Sequence, residues 1–428
     1  MGAVVLSAES PDPSQPASPG GRSSVRGPAQ RSAPLTRVLQ ISLGLGTGGA
    51  ERSTVDLLPY LSQCGVDMRI LCRGHRSRGA EGDLEGMEEI IDFLTDPPFL
   101  TWVRQIRSAV RLIRPDVVHT TLFEADLAGR IACIGTGIPV LTSLVNESYD
   151  AARRRDPAVS RYKLEATRLI EASTGRLLSE HFHALTESVA DSARTSLSLP
   201  RDRITVVPRG RDRARLGERT VNRAVGARAG LGLDPATPVI VTIGRQEFQK
   251  GQDVLLRALA ALLPTWPGMR LILAGRDGAW SPTLRELVDE LSLGDRVLFT
   301  GHAENVGDLL CCADVFVLPS RFEGFGGVLI EAMAMRTPIV SSDIGPAREV
   351  VGGDTGAVLV PPDDPAALAA GIDLLMKDDN RRESLAKAGL ARFETNFTIE
   401  VVAAQMADLY REVGNRGRRR LIRPARRT

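Results

Sequence analysis

The chain has 428 residues, more than one ordinary domain and suited to two or three. Its 43% hydrophobic and 25% charged residues exclude a wholly disordered or fibrous protein. The net charge of +2 conceals a segregation. The last fourteen residues carry seven arginines and no acid, whereas the rest has 47 basic residues against 52 acidic ones, so an extended nucleic-acid surface is not expected.

Residues 1–35 are rich in Ser, Pro, Gly and Ala with almost no apolar periodicity, which predicts a disordered segment. They contain no charged-then-apolar leader pattern. The five cysteines form no CxxC pair, so the expected compartment is the reducing cytoplasm. From Arg37 onward short β-rich runs alternate with helical stretches: VLQISL, MRILC, DVVHTTL, PVLTSLV, HFHALT and ITVVP. After an Arg-rich, strand-poor segment from about Gly210 to Asp234 a second series begins: PVIVTIGR, RLILAGR, RVLFTGH, DVFVLPS, PIVSSD and GAVLVPP. Such alternation predicts parallel sheets covered by helices on both faces. The expected domains are therefore residues 36–210 and 211–398, followed by a C-terminal helix over 399–414 and a disordered basic tail over 415–428. Ligands are expected at the carboxyl ends of the strands, in a cleft between the domains. The longest apolar stretch, near Ile131 to Val145, is interrupted by Gly135, Gly137 and Pro139 and is too short to span a bilayer.

Three loops carry candidate chemistry. Gly44 to Glu51 follows the first strand and opens a helix; its glycines, Gly48 and Gly49 among them, suit either an anion at a helix N-terminus or a tight structural turn. Arg245 at a strand end and Lys250 beyond a short polar loop could clamp a diphosphate, or could be surface cations. Pro319 to Ala332 places Glu323 on a Gly-Phe-Gly turn and Glu331 on the following helix, flanked by Ile330 and Ala332, where a charge needs a hydroxyl or a cation. An arginine neighbour would serve Glu331 equally well.

These segments resemble family 4 of the retaining glycosyltransferases. The resemblance rests on GTGGAER near Gly48, RPDVVH ending at His119, VVPRG ending at Gly210, GR and KG at Arg245 and Lys250, ADVFVLPSRFEGFGGVLIEAMA from Ala313, GPAREVV from Gly345 and TGAVLVPPDDPAALA from Thr355. It implies the GT-B fold, two facing Rossmann-like doubly wound α/β domains with a deep interdomain cleft. It also implies that Arg245 and Lys250 bind the diphosphate of a sugar nucleotide, UDP- or GDP-linked, that no other cofactor is used, and that Glu331 takes the ribose hydroxyls. Glu323 would lie against the donor sugar, with the amides of Gly324, Phe325 and Gly326 on sugar or phosphate oxygens. Gly48 and Gly49 would face the phosphate from the first domain, and His119, at a strand end, would stand near the reacting sugar.

The chain departs from the family pattern at Pro208-Arg209-Gly210, where Pro-Asn-Gly is common, and at Val145-Asn146-Glu147, where another His or Asp is frequent. No Asp-x-Asp occurs, so no metal site is expected and protein cations must balance the diphosphate. The acceptor is a glycan, a lipid-linked sugar or a small molecule. A different reading is a catalytically silent sugar-nucleotide or glycan-binding partner in a polysaccharide-assembly complex. Finally, Thr101 to Arg114 predicts an amphipathic helix with Arg104, Arg107, Arg111 and Arg114 along one face. With Arg153, Arg154, Arg155 and the tail it offers a peripheral contact to anionic lipid.

Overall fold

Thirteen strands build two parallel sheets in the computed structural model, which describes residues 35–45, 49–74, 91–303 and 305–422. The disorder expected over residues 1–35 and the phosphate role of Gly48 lie almost wholly or wholly outside the described residues. In the first sheet the strands are β1 (Thr36–Ser42), β2 (Val66–Cys72), β3 (Ile91–Phe93), β4 (Val117–Thr121), β5 (Val140–Leu144), β6 (His181–Ala184) and β7 (Ile204–Val206), in the order β3-β2-β1-β4-β5-β6-β7. The second holds β8 (Val239–Ile243), β9 (Arg270–Ala274), β10 (Val297–Gly301), β11 (Val315–Leu318), β12 (Ile339–Ser342) and β13 (Val358–Val360), in the order β10-β9-β8-β11-β12-β13. Every strand pair is parallel, and the central strands are buried on both faces: Val38, Ile41, Val117, Val118, Val239, Val241 and Val315 are inaccessible to solvent.

The order of each sheet decides where a ligand can sit. In both, the first strand lies inside and the chain reverses beside it, between β1 and β4 and between β8 and β11. At these switch points neighbouring loops diverge and leave a crevice. The loops there include Gly244 to Lys250 after β8 and Pro319 to Gly326 after β11, so the fold itself brings these two segments side by side.

Two chain crossings join the domains and run next to each other. Arg211 donates its N–H to the Phe397 carbonyl at 2.9 Å, and Ile399 donates back to the Arg211 carbonyl at 3.2 Å. Gly210 is required here because a Cβ would lie 2.8 Å from Ile399 Cα. The last helix, Ile399–Ile422, then returns to the first domain, where Val402, Met406, Tyr410 and Val413 join the core of Val38, Leu61 and Val117. The helix expected to end at 414 continues to Ile422, through most of the predicted tail. It continues because it is packed: a Cβ on Gly417 would stand 2.7 Å from Pro139 Cδ, and Arg416 binds Glu412 at 2.5 Å. Across the domains, Glu349 accepts from the backbone N–H groups of Glu187 and Ser188, at 2.8 and 3.1 Å, at the start of helix Glu187–Leu197, where a carboxylate is stabilised by the helix dipole.

Candidate functional site

On the second-domain wall the loop after β8 ends in a short 3₁₀ turn, Phe248–Lys250, closed by Gly251 at φ 58°. A side chain at Gly251 would meet the Pro319 carbonyl at 2.1 Å, so the two loops touch through their backbones. Lys250 Nζ reaches Glu323 Oε1 at 2.5 Å, and Ser320 Oγ donates to the same oxygen at 2.8 Å. Glu323 is 5% exposed, and so buried a carboxylate is tolerated only with such partners. Sequence reasoning missed what fixes this geometry. Arg321 binds both Asp253 and Asp363, at 2.7 and 2.6 Å, stacks 4.2 Å over the Phe248 ring and donates to the Phe248 carbonyl. Its signal was a single arginine inside a recognised motif, with partners 68 and 42 residues away.

Arg245 stands just past the end of β8 with its side chain 59% exposed and, among the described residues, Glu247 as its ion-pair partner at 3.8 Å. A long exposed pair of this kind contributes little, so the guanidinium is available to a ligand. Phe325 sends its side chain into the second-domain core against Phe397, 5.9 Å between ring centres. Gly326 adopts φ 75° and caps helix Gly327–Ala334. Gly324 packs directly against the first domain: a Cβ there would lie 1.9 Å from the Val145 carbonyl oxygen.

Glu331 has the arginine neighbour that the sequence left open. Arg211 Nε holds its Oε1 at 2.6 Å while Arg211 Nη1 reaches Ser53 Oγ at 2.7 Å in the first domain. The pair borders a cavity of about 280 Å³ lined also by Arg52, Asp56, Asn305 and Gly307. Gly49 begins helix Gly49–Gln63, which carries Arg52 and Asp56 to this cavity.

His119 lies at the middle of β4, opposite Gln40 and Leu141, and not at the strand end, which is Thr121. Its ring is buried and both nitrogens are taken: Nδ1 by Tyr410 Oη at 2.8 Å and Nε2 by Ser143 Oγ at 2.7 Å. The chain continues from Ser143 Oγ to His183 Nδ1 at 2.8 Å and from His183 Nε2 to the Val207 carbonyl at 2.8 Å. Since that carbonyl can only accept, a neutral His183 carries its proton on Nε2. Ser143 then donates to His183 and accepts from His119 Nε2–H, and His119 Nδ1 accepts from Tyr410. Burial pushes His119 down to about 3 and His183 down to about 4, and burial with Arg416 pushes His181 to about 4. The strand-end position expected for His119 is therefore corrected: it is a neutral ring fixed in mid-strand, lining a cavity with His183 and Arg209.

A pH dependence follows. Each depressed histidine must take up a proton on unfolding below its ordinary value, so its stabilising share is complete above about 6.5 and is lost as pH falls towards 4. Asp126, which burial raises to about 7, works in the opposite sense and offsets part of this. Unfolding free energies from urea titration, and the midpoints with them, should thus fall from pH 7 to pH 5, the free energy by on the order of 1 to 3 kcal/mol per pH unit below 6.5. Equal midpoints would contradict the neutral histidine network.

The first domain offers a separate cavity of about 270 Å³ at the ends of β4 and β5, lined by Asn146, Tyr149, Arg153, Lys163, Glu171 and Asp126 among others. Tyr149 donates to Glu171, and Ser188 Oγ donates to Glu147 at 2.6 Å; Asn146 lines this cavity and also lies against the second domain, where a Cβ on Gly324 would stand 2.7 Å from its Cα. Among the described residues no group of three His, Cys, Asp or Glu is placed to hold a metal ion.

Comparison with known proteins agrees with this fold. Residues 227–392 match the family model "Glycosyl transferases group 1", and residues 47–215 match "Glycosyltransferase Family 4". A D-inositol 3-phosphate glycosyltransferase of Xylanimonas cellulosilytica is 33% identical over 329 residues, 73% of this chain and 74% of that protein. A lipopolysaccharide core biosynthesis mannosyltransferase of Rhizobium meliloti is 37% identical over 190 residues, 43% of this chain and 54% of that protein, so the match spans about half of the relative's length. Among solved structures, HepE of Anabaena in complex with UDP-glucose superimposes with a TM-score of 0.76 at 22% identity, covering 88% of this chain and 99% of that one. Sucrose-phosphate synthase of Thermosynechococcus elongatus gives 0.74 at 23% identity, covering 89% of this chain and all of that one. At such identities the structural likeness shows the GT-B fold.

Proposed function

The chain belongs to the family 4, or group 1, glycosyltransferases, and from that premise we propose that it moves a sugar from a nucleotide-diphosphate sugar to an acceptor hydroxyl, with retention of configuration and without a metal ion. The observation that carries this reading is the Lys250–Glu323 pair on the cleft wall, with Arg245 exposed at the adjacent strand end. Lys250 and Arg245 supply the cations for the diphosphate, while Glu323 and the amides of Gly324, Phe325 and Gly326 face the sugar. Glu331 keeps Oε2 for the ribose, its other oxygen being fixed by Arg211. Gly49, at the start of helix Gly49–Gln63, meets the phosphate from the first domain.

In the transfer, the bond between the anomeric carbon and the β-phosphate oxygen breaks, and its electron pair stays with the diphosphate. The acceptor oxygen bonds to the same face of that carbon, and its proton passes to the departing phosphate oxygen. Negative charge grows on the leaving group, and fixed cations aimed there stabilise the transition state more than the ground state. No protein nucleophile is required. Added EDTA should leave turnover unchanged, because no Asp-x-Asp is present and Arg245 and Lys250 fill the diphosphate's charge requirement. Loss on chelation, restored by magnesium or manganese, would show that a metal takes part.

The bound UDP-glucose of HepE and the lipopolysaccharide role of the Rhizobium relative support a UDP- or GDP-sugar donor and a cell-envelope or polysaccharide product. The acceptor, a glycan, a lipid-linked sugar or a small molecule, would enter by the first-domain cavity. A thermal-shift panel of UDP, GDP, ADP and TDP tests the donor site, since a ligand at 100 times its Kd stabilises by about 2.7 kcal/mol. No shift with any of them would argue against it.

The same reading includes a peripheral contact to the inner, anionic face of the plasma membrane. No described helix is long and apolar enough to cross a membrane. Helix Phe99–Ile113 buries Trp102, Ile106 and Val110 and leaves Arg104 and Arg111 exposed. Helix Arg161–Leu178 exposes Tyr162, Leu169, Ile170 and Leu177, spaced so that they share one face. Cations beside exposed apolar groups suit an anionic lipid surface. Sedimentation with anionic vesicles should carry the protein down, less so as salt rises or residues 415–428 are removed. A protein that stays in the supernatant at low salt with strongly anionic vesicles would refute the contact.

A further inference from the structure

Arg209 occupies the place where the family pattern has asparagine, and the linker around it is fixed. Gly210 on one side is pressed against Ile399, and the Val207 carbonyl on the other is held by His183. The side chain leaves this turn at the rim of a small cavity of about 80 Å³ that it shares with His119, Gln40, Thr54 and Tyr410. Other cations of the cleft have partners: Arg211 has Glu331, Lys250 has Glu323, and Arg245 has Glu247 within 3.8 Å. Arg209 makes no hydrogen bond or ion pair among the described residues. It feels Arg211, which repels it, and Glu323, which attracts it; burial together with Arg211 lowers the guanidinium to about 10, so it is charged at neutral pH.

Around the Glu323 loop, then, Arg209, Arg211, Arg245 and Lys250 outnumber the carboxylates that face them. Excess positive charge in a partly closed cleft is costly until a ligand brings the opposite charge. Arg209 lines the same cavity as Val145, the residue whose carbonyl Gly324 presses against, so the donor loop stands at the edge of that cavity, and Arg209 does not line the first-domain cavity of Asn146 and Lys163. A planar guanidinium there can take two phosphate oxygens at once, which an asparagine amide cannot match in charge.

We propose that Arg209 binds the diphosphate of the sugar nucleotide from the first-domain end of the cleft, facing Arg245 and Lys250, so that the leaving group is gripped from both domains. This rests on the donor reading above and adds to it a residue outside the family's motif. Arg209 then joins Lys250 in stabilising the charge that develops when the sugar departs, and it couples donor binding to the linker on which the two domains are joined.

The test is calorimetric titration of the full chain with UDP, GDP and ADP and with the corresponding monophosphates. For whichever base binds, wild type should prefer the diphosphate. Arg209→Gln should reduce that preference by about ten- to a hundredfold while monophosphate affinity stays within about twofold, with Arg209→Lys intermediate. Thermal midpoints of both variants show whether they are folded; should Arg209→Gln not fold, Arg209→Lys carries the comparison. An unchanged preference in a folded variant overturns the proposal. So does a variant whose diphosphate affinity is intact while its KM for an acidic acceptor rises, since the anion would then come from the acceptor. Wild type binding no nucleotide at all would instead refute the donor reading.

Discussion

Lys250→Ala is expected to lower donor turnover by about 10³-fold in a protein that still folds. The substitution removes two things at once. One is the ammonium aimed at the leaving diphosphate, and removal of a single preorganised donor typically costs 10² to 10³ in rate. The other is the 2.5 Å partner of Glu323, which is almost wholly buried and retains only the Ser320 hydroxyl. Stripped of its cation, the buried Glu323 should swing away towards water, so the sugar side of the pocket is damaged too. The double variant Lys250→Ala, Glu323→Gln separates the effects: it should recover thermal stability, because no charge is left unpaired, but not turnover. Kinetics and thermal midpoints on the same preparations check both halves. Near wild-type turnover in Lys250→Ala would remove the diphosphate clamp from the account.

Gly324→Ala should be nearly as severe for a steric reason. The new methyl would sit 1.9 Å from the Val145 oxygen and 2.6 Å from its carbon, both backbone atoms of the opposite domain. No side chain can turn aside, so the donor loop must retreat or the cleft must widen. Either displacement shifts Glu323 and the loop amides by the order of 1 Å, and a misplacement of that size can cost about 10² in rate. Gly226→Ala is the control. It lies on helix Val221–Gly230 with nothing within 4 Å of its would-be Cβ, and should raise stability by about 0.5 to 1 kcal/mol with no kinetic effect. Full activity in Gly324→Ala would mean that the contact with Val145 does not hold the catalytic geometry.

The strands were legible because parallel central strands need unbroken apolar runs, and VLQISL, PVIVTIGR and DVFVLPS each fall on such a strand. β3 was not, since a three-residue edge strand has no periodicity to read. Glu323 and Lys250 came from a local motif and a local loop that the β8–β11 switch point brings together, so sequence patterns located both. The partners that define their environment are set by tertiary packing. His119 meets Tyr410 across 291 residues, and Glu331 meets Arg211 across 120. That distance explains two misreadings. His119 looked like a strand-end group because the motif ends there, while β4 runs two residues further. The basic tail looked disordered by composition, while its first eight residues are helical on a helix whose anchoring comes from Asp116, Pro139 and Glu412.

Release of nucleoside diphosphate from UDP-, GDP-, ADP- and TDP-sugars tests the central claim most directly, measured in EDTA with glycan, lipid-linked and small-molecule acceptors. The account predicts acceptor-dependent release from at least one donor, a product with the donor's anomeric configuration, and loss of release in Lys250→Ala. Absence of release from every donor, in wild-type protein shown to bind the nucleoside diphosphate, would contradict sugar transfer and leave a binding role for the cleft.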